Sequence, residues 1–212
     1  MRLLQFNSLQ FNSRTIWPAA VTLLAALLLT ACNNGNAPKP TFLSTDITNA
    51  GFGADFNLVD HTGKMRTLAD FKGKAVVVFF GYTHCPDVCP ATMGKLATAM
   101  KELGPEASRV QVLFITVDPE RDTAPALKEY LSAFDPTFLG LYGDDRATKK
   151  VAKEFKAIYQ KQEGESPGHH TMDHSTGTYI YDTKGKLRLY VSSEKDADVF
   201  AHDLSELLRT TS

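Results

Sequence analysis

Residues Ala75 to Phe80 read AVVVFF, an unbroken run of alanine, valine and phenylalanine. The run is too short for a helix, and its continuous apolarity requires cover on both faces, so it is expected to be a central strand in a helix-layered sheet. Gly81 to Pro90 follows as GYTHCPDVCP, after which Met93, Leu96, Ala97, Met100 and Leu103 recur at helical spacing. Cys85 and Cys89 thus stand where a buried strand gives way to an amphipathic helix over Pro90 to Leu103. In open α/β sheets that junction is where ligands and reactive groups collect.

The rest of the chain alternates apolar runs with helical patterns. Phe56 to Val59 and Met65 to Leu68 flank the turn-rich segment Asp60-His61-Thr62-Gly63-Lys64 and read as a hairpin ahead of the central strand. Val110 to Val117 is the next strand, and Leu127, Tyr130, Leu131 and Phe134 mark a helix capped by Asp122 or Thr123. Phe138 to Tyr142 is a short strand. A third helix is expected from about Arg146 to Gln160 with Val151, Phe155 and Ile158 inward, followed by a stretch from Gln162 to Asp173 without periodicity. Strands at Thr178 to Tyr181 and Leu187 to Ser192 surround the Lys184-Gly185 turn, and Val199, Phe200, Leu204, Leu207 and Leu208 form a final helix. This order predicts an α/β, thioredoxin-like fold: a mixed sheet flanked by helices, with an N-terminal β-hairpin extension and the cysteines at a strand-helix junction.

The N-terminus follows different rules. Arg2 and Arg14 precede an apolar run from Ala19 to Ala31 broken only by Thr22 and Thr30, the pattern of a secretory signal. That run is shorter than the roughly 20 residues a membrane-crossing helix needs. It closes on Leu29-Thr30-Ala31-Cys32, which resembles the lipobox of bacterial lipoproteins and makes Cys32 the expected lipidation site. The chain is therefore divided into a lipoprotein signal peptide (1–31), a lipid-anchored flexible tether (32–50) and a folded domain (51–212). The expected location is the bacterial cell envelope, with a membrane-anchored domain facing the periplasm. Loss of residues 1–31, which carry two basic and no acidic residues, takes the formal charge from -1 to -3. No broad basic surface exists to grip phosphates, which argues against nucleic acid as a partner.

With Cys32 lipidated, Cys85 and Cys89 are the remaining pair. Each precedes a proline, which disfavours the helical conformation and places the pair in a loop, with Pro90 as the first helical residue and Cys89 at the cap. There the positive end of the helix would favour a thiolate. Such a pair can close into a disulfide or bind a soft metal ion. Of the six histidines, His174 stands apart, because it lies just before the strand at Thr178, whose start faces the cysteine loop in a thioredoxin-like sheet. Two sulfurs and one imidazole suit copper better than structural zinc, which normally fills four protein positions. His169, His170 and Met172 are expected in a solvated loop. Asp87 and Asp118 bring carboxylates near the same pocket, either to assist Cu(II) or to shape loops.

Three segments, GYTHCPDVCP (81–90), VDPERD (117–122) and DHSTGTYIYD (173–182), closely resemble the SCO/SenC family, the copper chaperones of cytochrome c oxidase assembly. The resemblance runs from about Gly53 to Leu208. It implies a non-enzymatic protein that holds one copper, as Cu(I) or Cu(II), on Cys85, Cys89 and His174, with the cysteines also forming a reversible redox disulfide. It further implies delivery to the dinuclear copper centre of oxidase subunit II, and exchange with other copper chaperones and thioredoxin-like reductants. A secondary role as thiol reductant fits the same residues.

The rival reading is a thiol-disulfide oxidoreductase or peroxidase with Cys85 attacking and Cys89 resolving, or a redox sensor of the cell envelope. Three features oppose the enzyme. Three residues rather than two separate the cysteines, Tyr82 rather than tryptophan is the nearest upstream aromatic, and the strand facing the site is preceded by His174-Ser175-Thr176-Gly177 without a proline.

Overall fold

The computed structural model describes residues 40–164 and 169–210. The chain opens with β1 (Thr45–Asp46), the hairpin β2 (Leu58–Asp60) and β3 (Met65–Arg66), and then β4 (Ala75–Gly81), in which every residue is buried. Next come α1 (Val88–Leu103), β5 (Val110–Thr116), α2 (Ala124–Ser132), β6 (Leu139–Tyr142) and α3 (Asp145–Glu154). The C-terminal part contains β7 (Tyr159–Glu163), β8 (His170–His174), β9 (Thr178–Tyr181), β10 (Leu187–Val191) and α4 (Ala197–Thr210).

Eight strands form one mixed sheet in the order β1, β10, β9, β4, β5, β6, β2, β3. β4 pairs in parallel with β5 and antiparallel with β9, so both of its edges are used. Its two phenylalanines show why the run has no polar position. Successive strand residues point to opposite faces. Phe79 meets Phe114 at 6.0 Å between ring centroids, and Phe114 meets Tyr130 of α2 at 5.7 Å. On the other face Phe80 meets Phe155, just beyond α3, at 5.2 Å. Helices cover both faces, and α1 packs against α4. This is the expected thioredoxin-like arrangement, with the early hairpin added at the far edge through β2 and β6.

The hairpin turn is built by one side chain. Asp60 accepts hydrogen bonds from Thr62 N (2.8 Å), Thr62 Oγ1 (2.6 Å), Lys64 N (3.1 Å) and Arg66 Nε (2.7 Å). Of the two cap candidates for α2, Thr123 takes the role by accepting from Ala126 N, and Asp122 is used elsewhere.

Three expectations are corrected. The third helix ends at Glu154 rather than Gln160, because Lys156 adopts a positive φ of 53° that no helix tolerates. Phe155 remains buried, but Ile158 is 77% exposed rather than inward. The described residues of the stretch read as aperiodic, together with those before it, pair as a separate antiparallel sheet of β7 and β8. The polar YQKQE of β7 lies mostly exposed and carries no alternation to reveal it. Finally, the end of the segment assigned to the tether is bound to the domain. Thr45 and Asp46 pair with β10, the amides of Leu43 and Ser44 donate to the buried Asp203 carboxylate at 2.8 and 3.0 Å, and Phe42 and Ile47 pack on the core. The signal segment, Cys32 and the first tether residues lie outside the described residues. No helix among the described residues is long and apolar enough to cross a membrane.

Candidate metal centre

The site begins at the end of β4. Gly81 is its last residue, and a β-carbon there would sit 2.9 Å from Cys89 Sγ and within 2.9 Å of the Phe79 and Phe114 rings. Only a residue without a side chain lets the sulfur seat against the strand. The chain then turns through Tyr82 to Cys85, whose N–H donates to Tyr82 O at 3.2 Å. Thr83 anchors this loop by giving its N–H and hydroxyl to the buried Asp122 carboxylate at 3.0 and 2.6 Å.

Helix α1 starts at Val88, so Cys89 is its second residue and Pro90 its third, rather than cap and first. The preference of a pre-proline residue for extended backbone yields here to helix formation. Pro90 still lies within the first turn, where its missing N–H has no intrahelical partner to lose. Cys89 is fully buried and Cys85 partly so, and both are free thiols. Burial pushes the Cys89 thiol well up, outweighing the hydrogen bond from the Tyr82 backbone. The thiolate expected from the helix terminus alone is therefore reversed, and Cys89 holds its proton at neutral pH until something replaces it.

His174 arrives from the opposite side, at the end of β8. Its Nδ1 lies 2.9 Å from Ser175 O, which can only accept, so Nδ1 carries the proton and Nε2 offers its lone pair. Nε2 faces Cys89 Sγ at 3.4 Å. Burial pushes the imidazole pKa down, keeping the ring neutral and able to ligate. The rings of Phe79 and Tyr82 stand edge-on to it at 6.1 and 5.8 Å between centroids. The ligand atoms of Cys85, Cys89 and His174 all lie within 4.8 Å of one another. A set of two sulfurs and one neutral nitrogen with walls of aromatic carbon suits a soft, low-coordinate ion.

The other expected residues divide. Asp87 is an exposed residue at the start of α1 and makes no capping hydrogen bond. Asp118 is buried outside this donor set and belongs to a second group with Glu120 and His170. His169 is exposed, but His170 and Met172 are each only 8% exposed, so the solvated loop expected for them is corrected. They fall on the inward face of β8, two residues apart, in line with His174. Sequence reasoning missed Gly81, Thr83 and Asp122 as supports. The sequence marks Asp118 as a carboxylate near the pocket and Asp122 only as a cap candidate, and neither reading shows which neighbours each holds.

The comparisons agree with this geometry. The SCO1/SenC sequence model matches residues 44–209. The bovine mitochondrial protein SCO2 homolog is 38% identical over 146 residues, which is 68% of this chain and 55% of that protein, so the match spans little more than half of the relative. A solved structure of Bradyrhizobium japonicum ScoI with copper bound is 38% identical, with a TM-score of 0.69 over 74% of this chain and 99% of that one. Yeast Sco1 with copper bound is 32% identical, with a TM-score of 0.69 over 75% of this chain and 89% of that one. The family match takes in the whole sheet, both cysteines and His174 at once, and on that footing the chain belongs to the SCO1/SenC family.

Proposed function

We propose that this protein binds one copper ion through Cys85, Cys89 and His174 and hands it to cytochrome c oxidase during assembly, with the dinuclear copper centre of subunit II as recipient. The observation that carries this reading is His174 Nε2 facing Cys89 Sγ at 3.4 Å, with Cys85 in the same cluster. Membership of the SCO1/SenC family and two similar structures solved with copper bound support it.

The geometry suits a carrier. Incoming copper displaces the Cys89 proton, so loading releases a proton and strengthens as pH rises. Cys89 and the edge-on aromatic rings form the closed side, and Cys85 the more accessible side. An acceptor thiolate or imidazole approaching beside Cys85 would add a ligand before Cys85 leaves, so copper need never be free in solution. The thiols left behind can reduce a disulfide on an acceptor by thiol-disulfide exchange, closing into the Cys85–Cys89 disulfide as the acceptor's disulfide becomes two thiols, a second use as thiol reductant. Lipidation of Cys32 would hold this chemistry at the envelope membrane with the domain in the periplasm; mass spectrometry of the native N-terminus tests that anchor.

The central test is titration of the reduced protein with Cu(I) and Cu(II). Cys85→Ser and Cys89→Ser should weaken both ions, whereas His174→Ala should weaken Cu(II), the harder ion, much more than Cu(I). Parent-like binding of both ions by Cys85→Ser or His174→Ala would remove the assigned site and favour thiol-disulfide exchange instead.

A further inference from the structure

The His174-bearing hairpin is a sheet of its own, not part of the main one. Its ladder ends one rung beyond the strands, where Ser175 N donates to Ile158 O at 2.8 Å and Ile158 N to Ser175 Oγ at 2.9 Å, so these bonds close the hairpin on itself. The place of β8 over the cysteines must then be set by side chains. Lys161 to Glu120, at 2.9 Å, joins side chains 36% and 67% exposed, and such an exposed pair holds little. Two contacts are buried: Met172 packs in the core with its backbone hydrogen-bonded to Tyr82, and His170 supplies a buried polar side chain. Its Nε2 lies 3.1 and 3.2 Å from the two oxygens of Asp118, and the side chains are only 5% and 2% exposed. Asp118 also accepts from Arg121 Nε at 2.6 Å and, as a carboxylate, offers only lone pairs, so His170 is the donor.

Asp118 lies on the loop that also fixes the thiols. Val117 N donates to Gly81 O at 2.9 Å, and Asp118 N to Thr116 Oγ1 at 2.9 Å. Four residues on, Asp122 holds Thr83 of the cysteine loop. One short segment thus braces both halves of the donor set: Asp122 fixes the cysteine loop, and Asp118, through His170, fixes the histidine hairpin. Arg121 between them lies over the Tyr82 ring, which in turn meets the His174 ring.

We propose that His170 is a positioning residue of the copper site, donating to Asp118 so that the hairpin holds His174 Nε2 against Cys89. The proposal rests on the copper reading of Cys85, Cys89 and His174. It gives His170 no contact with copper, because its Nε2 is already committed to Asp118.

The test compares His170→Leu, which fills the buried slot without a donor, with His170→Gln, whose amide can donate to Asp118 again. Outer-shell partners of metal ligands are worth about 10- to 100-fold in affinity. His170→Leu should therefore weaken Cu(II) by about tenfold or more and alter its thiolate charge-transfer band, with Cu(I) affected by less than about threefold because the thiolates dominate there. His170→Gln should restore Cu(II) binding. Amide exchange of the copper-free protein supplies a readout that needs no metal: in the parent, amides of 170–174 should be protected well beyond an unstructured peptide, and His170→Leu should release them while β4 stays protected. Unchanged Cu(II) binding in His170→Leu, equal loss of both ions with the melting temperature, failure of His170→Gln to rescue, or an unprotected parent hairpin would each overturn the proposal. His174→Ala run alongside separates the two readings. If it leaves Cu(II) binding intact, the copper site itself is misassigned; if it abolishes Cu(II) binding while His170→Leu does not, only the brace is wrong.

Discussion

Gly81→Ala is the sharpest test of how the site is packed. The new β-carbon would lie 2.8 Å from Phe79, 2.9 Å from Phe114 and 2.9 Å from Cys89 Sγ. Each contact is roughly 0.6 Å or more inside the 3.5–4.0 Å at which carbon atoms rest comfortably. Both rings and Cys89 are fully buried, so none can move aside freely and part of the strain falls on the sulfur. Overpacking of this kind costs about 1–3 kcal/mol. Gly81 has no positive φ, so alanine fits the backbone and regains about 0.4–1 kcal/mol by restricting the unfolded chain. The net loss is up to about 2.6 kcal/mol, or a melting temperature lower by as much as about 10 °C for a domain of this size. Displacement of Sγ should also weaken Cu(I) by about tenfold, as for other changes beside a metal ligand. Gly94→Ala is the matched control, because Gly94 lies inside α1 with nothing within 4 Å of its would-be β-carbon. It should stabilise by about 0.8–1 kcal/mol and leave copper binding alone. Thermal unfolding of the reduced, copper-free protein and Cu(I) competition against a chromogenic chelator measure both effects. A Gly81→Ala protein as stable as the parent and binding copper as tightly would show that Cys89 does not seat against Gly81, and the packing argument would fail.

Two further predictions concern ionisation and access. Alkylation of the reduced protein should modify Cys85 first, because Cys89 is fully buried and burial raises its pKa; peptide mass spectrometry showing equal rates would contradict the inner and outer roles of the two thiols. At low pH, Asp60 should be a main contributor to acid stability. Burial alone would raise its pKa, but the hydrogen bonds from Thr62, Arg66 and Lys64 bring it from 3.8 down to about 2. A depressed carboxylate stabilises above its unfolded pKa, and that gain is lost as pH falls from about 4 through about 2, amounting to no more than about 2 kcal/mol. Urea unfolding between pH 2 and 5 should show this slope in the parent and lose it in Asp60→Asn; equal slopes would refute the assignment.

The carrier reading depends on a tension between burial and ligation. Cys89 is protonated because it is dry, and the same dryness gives a bound soft ion a water-poor seat. His174 is held neutral by burial and turned by Ser175 O. Of the two thiols here only Cys85 is even partly accessible, and the deep sulfur faces an imidazole nitrogen.

Much of the fold was legible because it is written in local patterns. AVVVFF carries its own burial, the stripe of α1 its own helical period, and the turn around Lys184-Gly185 its own stop, so the boundaries of these elements fall within two residues of expectation. β7 was not legible, because YQKQE has no alternation and no apolar residue after Tyr159, and becomes a strand only by pairing with β8. The end of α3 was misread for a related reason. Ile158 continues the helical apolar spacing, but a left-handed turn at Lys156 redirects the chain toward the hairpin.

The donor set divides in the same way. Chemical type and spacing marked Cys85, Cys89 and His174 from the sequence, since thiols and imidazoles are scarce and their chemistry does not depend on context. Tertiary structure alone decided their state: it made Cys89 a buried thiol instead of a helix-end thiolate, and it aimed one particular nitrogen of His174 at a sulfur 85 positions away. It also turned His170 from an expected loop residue into the buried partner of Asp118. Protonation, tautomer and aim depend on desolvation and on partners distant in sequence, and neither is encoded in the few residues around a motif.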